Sequence, residues 1–145
     1  MHNLVSICEY IHGVLILVNS VGVLIIGKPG VGKSKLAYDL ITQGHSLVAD
    51  DIVKCRLCEQ QLIGSLHNKE FNGKIFVRNM GMVDVNGIHG DSVKSQAKIS
   101  VCIGIGFDAG HRLSVDICDV KVPFYNINAG NIGCIYSIIQ GLPIS

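Results

Sequence analysis

"IIGKPGVGKSKLAYDL", residues 25–40, decides the fold. Gly27-x4-Gly32-Lys33-Ser34 satisfies the phosphate-loop pattern G-x-x-x-x-G-K-[ST] in full. Each residue type has a physical reason. Glycines allow the backbone N–H groups to turn inward around phosphate oxygens. The N-terminus of the following helix adds unpaired N–H groups and the positive end of a dipole. Lysine neutralises the β- and γ-phosphates, and the serine hydroxyl is a ligand for Mg²⁺. The pattern carries meaning only between a strand and a helix, and both flanks agree. Residues 22–26 read as a buried strand. Leu36, Ala37, Leu40 and Ile41 form an apolar stripe on a helix from about Lys33 to Gln43, with Gly44 placed to stop it. Gly27, Lys28, Pro29, Gly30, Val31, Gly32, Lys33 and Ser34 are therefore the candidate nucleotide-binding residues.

Working outward, residues 12–18 read as a strand, and "NSVG" is a turn in which Gly22 is free to take positive φ. After the helix, "HSLVADD" is a short strand that leaves Asp50 and Asp51 at its C-terminal end. One helix and one strand separate the acids from Lys33, so they are expected at the same sheet edge as the loop. A water-bridged Mg²⁺ ligand is wanted there, and a second carboxylate could accept the proton of an attacking hydroxyl. The competing reading is a solvated Asp-Asp turn; downstream of a complete phosphate loop the functional reading is preferred. Further strands are expected at 52–57, 61–66, 74–78, 82–85, 98–104, 113–120 and 132–139, with "IGCIYSIIQ" a possible second helix. The sum is an α/β domain with a mixed, strand-rich sheet and few helices, occupying 1–145 as a single unit.

Composition agrees. Of 145 residues, 48% are apolar and 16% charged, which suits one packed core. A net charge of +1 points to neither nucleic acid nor an anionic membrane. The apolar run "VLILVNSVGVLIIG" is interrupted by Asn19, Ser20 and Gly22, too short and broken to span a bilayer. "MHNLVSICEY" has no signal-peptide pattern, and a cytoplasmic protein is expected. Cys8, Cys55, Cys58, Cys102, Cys118 and Cys134 are scattered, mostly in apolar runs, and read as free thiols. Cys55 and Cys58 form one C-x-x-C without the second pair that a zinc site needs.

Among the histidines, His12 opens the first strand; His2, His45, His67, His89 and His111 carry no spacing signal. Lys94 lies in a polar, glycine-containing loop, and on its own reads as solvated.

The whole string "HGVLILVNSVGVLIIGKPGVGKSKLAYDLITQGHSLVADDIV" resembles the catalytic domain of the HPr kinase/phosphorylase family. The resemblance is specific over residues 12–53. It continues through "VRNMGMVDV", similar to the family's E-[IV]-R-G-L-G-I segment, and fades after about residue 95. In length the chain resembles the short alphaproteobacterial forms. The resemblance implies a P-loop domain of the phosphoenolpyruvate carboxykinase-like type, often hexameric. It implies use of ATP and Mg²⁺ to phosphorylate a serine of HPr, the phosphocarrier of the sugar phosphotransferase system, with reversal by inorganic phosphate to release pyrophosphate. By resemblance, Asp51 exchanges the serine proton, Lys33 holds phosphates, Ser34 and Asp50 attend the metal, and His12 matches an active-site histidine. Lys94 falls where the family has an active-site arginine.

Three positions depart from the family pattern. Lys35 follows the loop serine where an acid is usual, Phe76 replaces a metal-binding glutamate, and Gly130-Asn131 replaces a Gly-Arg pair. These departures put a second reading beside the kinase: a nucleotide-binding regulatory protein that has lost phosphoryl transfer. Another P-loop enzyme is disfavoured, because "NKEF" fails as N-K-x-D and there is no arginine-rich lid.

Overall fold

Apolar residues on both faces of a strand require a cover on both sides. β1 (Cys8–Val18) and β2 (Val21–Gly27) are such strands. The structure, a computed structural model, describes residues 8–28, 30–106, 113–128 and 131–142. In chain order the remaining elements are α1 (Lys33–Thr42), β3 (Ser46–Cys58), β4 (Gln61–Leu66), β5 (Lys74–Val77), β6 (Gly81–Asp84), β7 (Gln96–Ile105), β8 (Ser114–Ile117), β9 (Val120–Ile127) and α2 (Ile132–Gln140). A single 3-10 turn, Lys69–Phe71, precedes β5.

The cover on one face is the sheet itself. The strands run β2-β1-β3-β4-β7, and β7 pairs back with β2, so the pairings close into a ring. Inside it, a Cβ added at Gly64 would lie 2.5 Å from Leu15 Cδ2, 3.0 Å from Ile99 Cδ1 and 3.2 Å from Val53 Cγ1. Side chains from three other strands thus converge on a position that only glycine fits. Outside, Val14, Ile16, Val23, Ile25, Val101 and Ile103 form the second core with Leu36, Ala37, Leu40 and Ile41 of α1 and Ile135 of α2. β2–β7 and β7–β9 are parallel and the other pairings antiparallel, giving the mixed, strand-rich sheet with two helices.

Several expectations change. "HSLVADD" and 52–57 are one strand, β3, because the long β1 pairs with it from Ser46 to Arg56. Val48 is skipped in that ladder, and Asp51 takes φ 79°, so irregularities stand where a strand end was expected. The 113–120 strand is a hairpin, β8–β9, whose second strand carries Pro123, a residue that weakens a strand signal. Residues 132–139 are helical: Asn131 caps α2 by accepting from the Cys134 N–H at 2.9 Å.

Gly22 does not provide the positive φ of its turn. Asn19 and Ser20 do, at 49° and 67°, in a two-residue hairpin of type I′ geometry. Gly22 is required for closeness: a Cβ there would meet Lys98 O at 1.8 Å. Glu59-Gln60 and Cys118-Asp119 repeat the paired positive φ. A left-handed residue other than glycine costs about 1–2 kcal/mol. Ser20→Gly is therefore expected to raise the unfolding free energy by about 1 kcal/mol in urea titration, and a destabilised variant would contradict this turn assignment.

Candidate functional site

β1 is antiparallel to both neighbours, so its N-terminal half lies beside the C-terminal end of β2 and the middle of β3. Val14 pairs with Ile25 on one side and Asp50 on the other, and Gly13 pairs with Asp51. His12 and the two acids are thereby brought to the end of the strand that carries the loop. Gly13 is needed for this approach, since a Cβ would sit 2.6 Å from Ile25 O.

The loop leaves β2 at Gly27, where a Cβ would meet Val31 Cγ2 at 2.7 Å and Ile105 O at 3.0 Å. Gly30 and Gly32 take φ 86° and 98°, conformations that favour glycine. Gly32 is the N-cap of α1 and supplies no side-chain cap, so the first N–H groups of the helix are left for an anion. Lys33 folds back, its Nζ donating to Gly27 O at 2.8 Å. The Val31 N–H donates to Lys28 O at 3.3 Å, and Pro29 lies outside the described residues.

Asp50 is held from two directions. The Ser34 hydroxyl donates to Oδ1 at 3.3 Å and the Phe76 N–H donates to Oδ2 at 3.1 Å. Burial pushes its pKa above the ordinary carboxylate value, and these hydrogen bonds offset part of the rise. Asp51 is exposed, with Oδ1 3.8 Å from His12 Nδ1. Mg²⁺ commonly takes one or two protein carboxylates and completes its shell with substrate phosphates and water. The adjacent Ser34 and Asp50 oxygens fit that pattern. Among the described residues no group of three His, Cys, Asp or Glu could hold a metal by itself.

A cavity of about 1140 Å³ opens over this assembly, lined by His12, the loop glycines, Lys33, Ser34, Asp50 and Asp51. It also receives Phe71, Lys74, Phe76, Arg78 and Met82 from the β5–β6 excursion and the turn before it. Of these five only Phe76 stood out in the sequence, as the replacement for a family glutamate. Arg78 is the most telling of them: a Cβ at Gly30 would lie 3.6 Å from its Nη1, so the guanidinium stands at the crown of the loop. Its place in the E-[IV]-R-G-like segment was the available signal.

Lys35 reaches the cavity wall, but its Nζ is paired with both Asp39 oxygens at 2.6 and 2.8 Å. Lys94 is not among the cavity's lining residues. Its N–H donates to Leu47 O at 2.9 Å, at the N-terminal end of β3, and its Nζ lies 3.2 Å from Asp91. Asn131 is used as the α2 cap, and Gly130 lies outside the described residues. All six cysteines are free; Cys55, Cys102 and Cys118 are buried, and burial pushes the thiols of Cys55 and Cys102 up to about 12. Such thiols stay protonated and unreactive.

A strand-closed sheet with this loop at its edge defines a P-loop domain. The profile of the HPr Serine kinase C-terminal domain family matches residues 4–139, and the chain belongs to that family. It is 37% identical over 130 residues to the HPr kinase/phosphorylase of Malacoplasma penetrans, covering 82% of this chain and 43% of that protein. Against the HPr kinase/phosphorylase of an Exiguobacterium species it is 39% identical over 126 residues, covering 80% and 40%. The chain thus spans less than half the length of these relatives. The structure of the Hpr(Ser) kinase/phosphatase from Coxiella burnetii superposes with a TM-score of 0.79 at 28% identity, covering 91% of this chain and 93% of that one. No helix among the described residues is long and apolar enough to cross a membrane.

Asp50 also sets a pH dependence. A carboxyl whose folded pKa is raised favours folding while protonated. Stability therefore falls as pH rises from its ordinary value of 3.8 through the raised one. Asparagine can accept from the Phe76 N–H and donate to Ser34. Asp50→Asn is thus expected to raise the Tm at neutral pH, with the gain shrinking in acid; a lower Tm at pH 7 would refute the buried-charge account.

Proposed function

We propose that the chain transfers the γ-phosphoryl group of ATP to a serine of an HPr-type phosphocarrier and, with inorganic phosphate, reverses the transfer. The observation that carries this reading is the join between loop and acid pair. Asp50 is hydrogen-bonded to the loop's Ser34, and the exposed Asp51 follows it at the mouth of a basic cavity. Ser34 and Asp50 would hold Mg²⁺, which would supply charge neutralisation at the phosphates.

The protein's own residues do the rest. Loop N–H groups cradle the phosphates, and Lys33 exchanges Gly27 O for a phosphate oxygen. Arg78, at the crown, provides a planar fork of donors for the transferring group. Asp51 accepts the serine proton as the serine oxygen forms its bond to phosphorus and the bond to the leaving diphosphate oxygen breaks. In reverse, Asp51 returns the proton to the serine oxygen as inorganic phosphate takes the phosphoryl group. His12 lies close enough to orient the Asp51 carboxylate. Removing a general base costs about 10²–10⁴-fold. Asp51→Asn is accordingly expected to lower transfer from labelled ATP to HPr by at least about 100-fold while ATP affinity is retained; near-normal labelling would reject this role.

One observation favours the second reading, a nucleotide-binding regulator without turnover. Phe76 contributes only its backbone N–H to Asp50 and turns an exposed ring toward the cavity, where the family pattern has a carboxylate. Phe76→Glu would restore that group. If the wild type binds ATP but leaves HPr unlabelled, Phe76→Glu is expected to switch labelling on, and silence of both proteins would place the defect elsewhere.

A further inference from the structure

The acid pair borders two cavities. Adjoining the large one is a second, of about 370 Å³, lined by Asp50, Asp51, Ile52, His67, Asn68 and Phe71. The two differ in charge. The large cavity gathers Lys33, Lys35, Lys74 and Arg78 around the phosphate loop. The described lining of the smaller one holds two carboxylates and neither lysine nor arginine. A polyphosphate is attracted to the first and repelled by the second.

Strand register explains how the second cavity is built. His12 pairs with Ile52, and the His67 N–H donates to Ile52 O at 3.4 Å. His12, Ile52 and His67 therefore form a row across three adjacent segments, with a histidine on either side of the strand that bears Asp51. The His67 ring is oriented by Tyr10, edge-on at a centroid distance of 4.8 Å. Asn68 Oδ1 accepts from the Glu70 N–H at 3.1 Å, which leaves its amide NH2 as the donor it presents.

We propose that this smaller cavity receives the acceptor polypeptide. The segment flanking the phosphorylated serine lies there, its main-chain groups bonded to the His67 ring and the Asn68 amide, with the serine hydroxyl at Asp51. Donor and acceptor thus approach the shared acids through different cavities, sorted by charge. His67 is then a specificity-determining residue for the acceptor and has no contact with the nucleotide. The assignment rests on the phosphotransfer reading above.

The test measures HPr binding to the nucleotide-bound protein by calorimetry, alongside steady-state transfer. Loss of about one hydrogen bond corresponds to about a five-fold change in affinity. His67→Ala is expected to weaken HPr binding by about that factor, with the loss in KM for HPr rather than in kcat and with ATP affinity unchanged. His67→Gln, which keeps a hydrogen-bonding group, is expected to recover most of it. Unchanged HPr affinity in both His67→Ala and the His67→Ala, Asn68→Ser double variant overturns the proposal alone. A wild-type protein that binds no HPr overturns both the proposal and the phosphotransfer reading.

Discussion

The meeting of the loop, His12 and the acids depends on β1 being hydrogen-bonded to β2 on one edge and to β3 on the other. Register in a sheet moves in steps of one residue, and a single slip turns each side chain to the opposite face. With Val14 opposite both Ile25 and Asp50, His12 stands at the loop end of β2 and beside the acids. Gly13 permits this approach because no side chain separates it from Ile25 O. The skipped Val48 and the positive φ of Asp51 then adjust where the two carboxylates point without ending the strand.

Charge is apportioned with similar economy. Asp50 is partly desolvated and held by Ser34 and the Phe76 N–H, so its position is fixed but its ionisation is resisted. Asp51, one residue on, is solvated and faces His12. Two adjacent carboxylates thus have separate environments, and these suit a fixed metal ligand and an exchanging base. Lys35, which departs from the family pattern, has its charge met by Asp39 on the next turn of α1. Its charge beside the loop is thereby partly offset. Phe76 is the more consequential departure, because it puts an exposed ring into the cavity where the family pattern has a carboxylate.

The legible parts of the sequence were those governed by local rules. The loop, α1 and the strand before it follow from a motif and a helical period. The position of the acid pair follows from the same contiguous stretch, whereas His12 was singled out only through the family resemblance. What escaped was set by partners distant in the chain. Nothing near residues 132–139 tells an apolar helix from a buried strand except Asn131, whose capping role is visible only with α2 formed. Arg78 reaches the loop because the β5–β6 excursion docks over α1, where Ile75 and Val77 join the outer core. Lys94 shows the converse: a residue that the family resemblance put in the active site is pinned to Leu47 and is not among the residues lining the cavity over the loop. His67 had no spacing to recommend it, since its value comes from lying across β3 from His12.

The closing pair of the ring, β2 with β7, joins residues 22–27 to residues 99–105 in parallel. Contacts of such separation form late, because the chain between them must first be ordered. During synthesis the phosphate-loop sequence therefore emerges well before its anchoring strand has a partner on the β7 side. Gly27 gains Ile105 as its neighbour only after the whole stretch from α1 to β7 has been made. The shape of the loop is thereby tied to completion of the sheet, and a nascent chain that stalls before β7 carries the motif without the rigid strand end that holds it in shape.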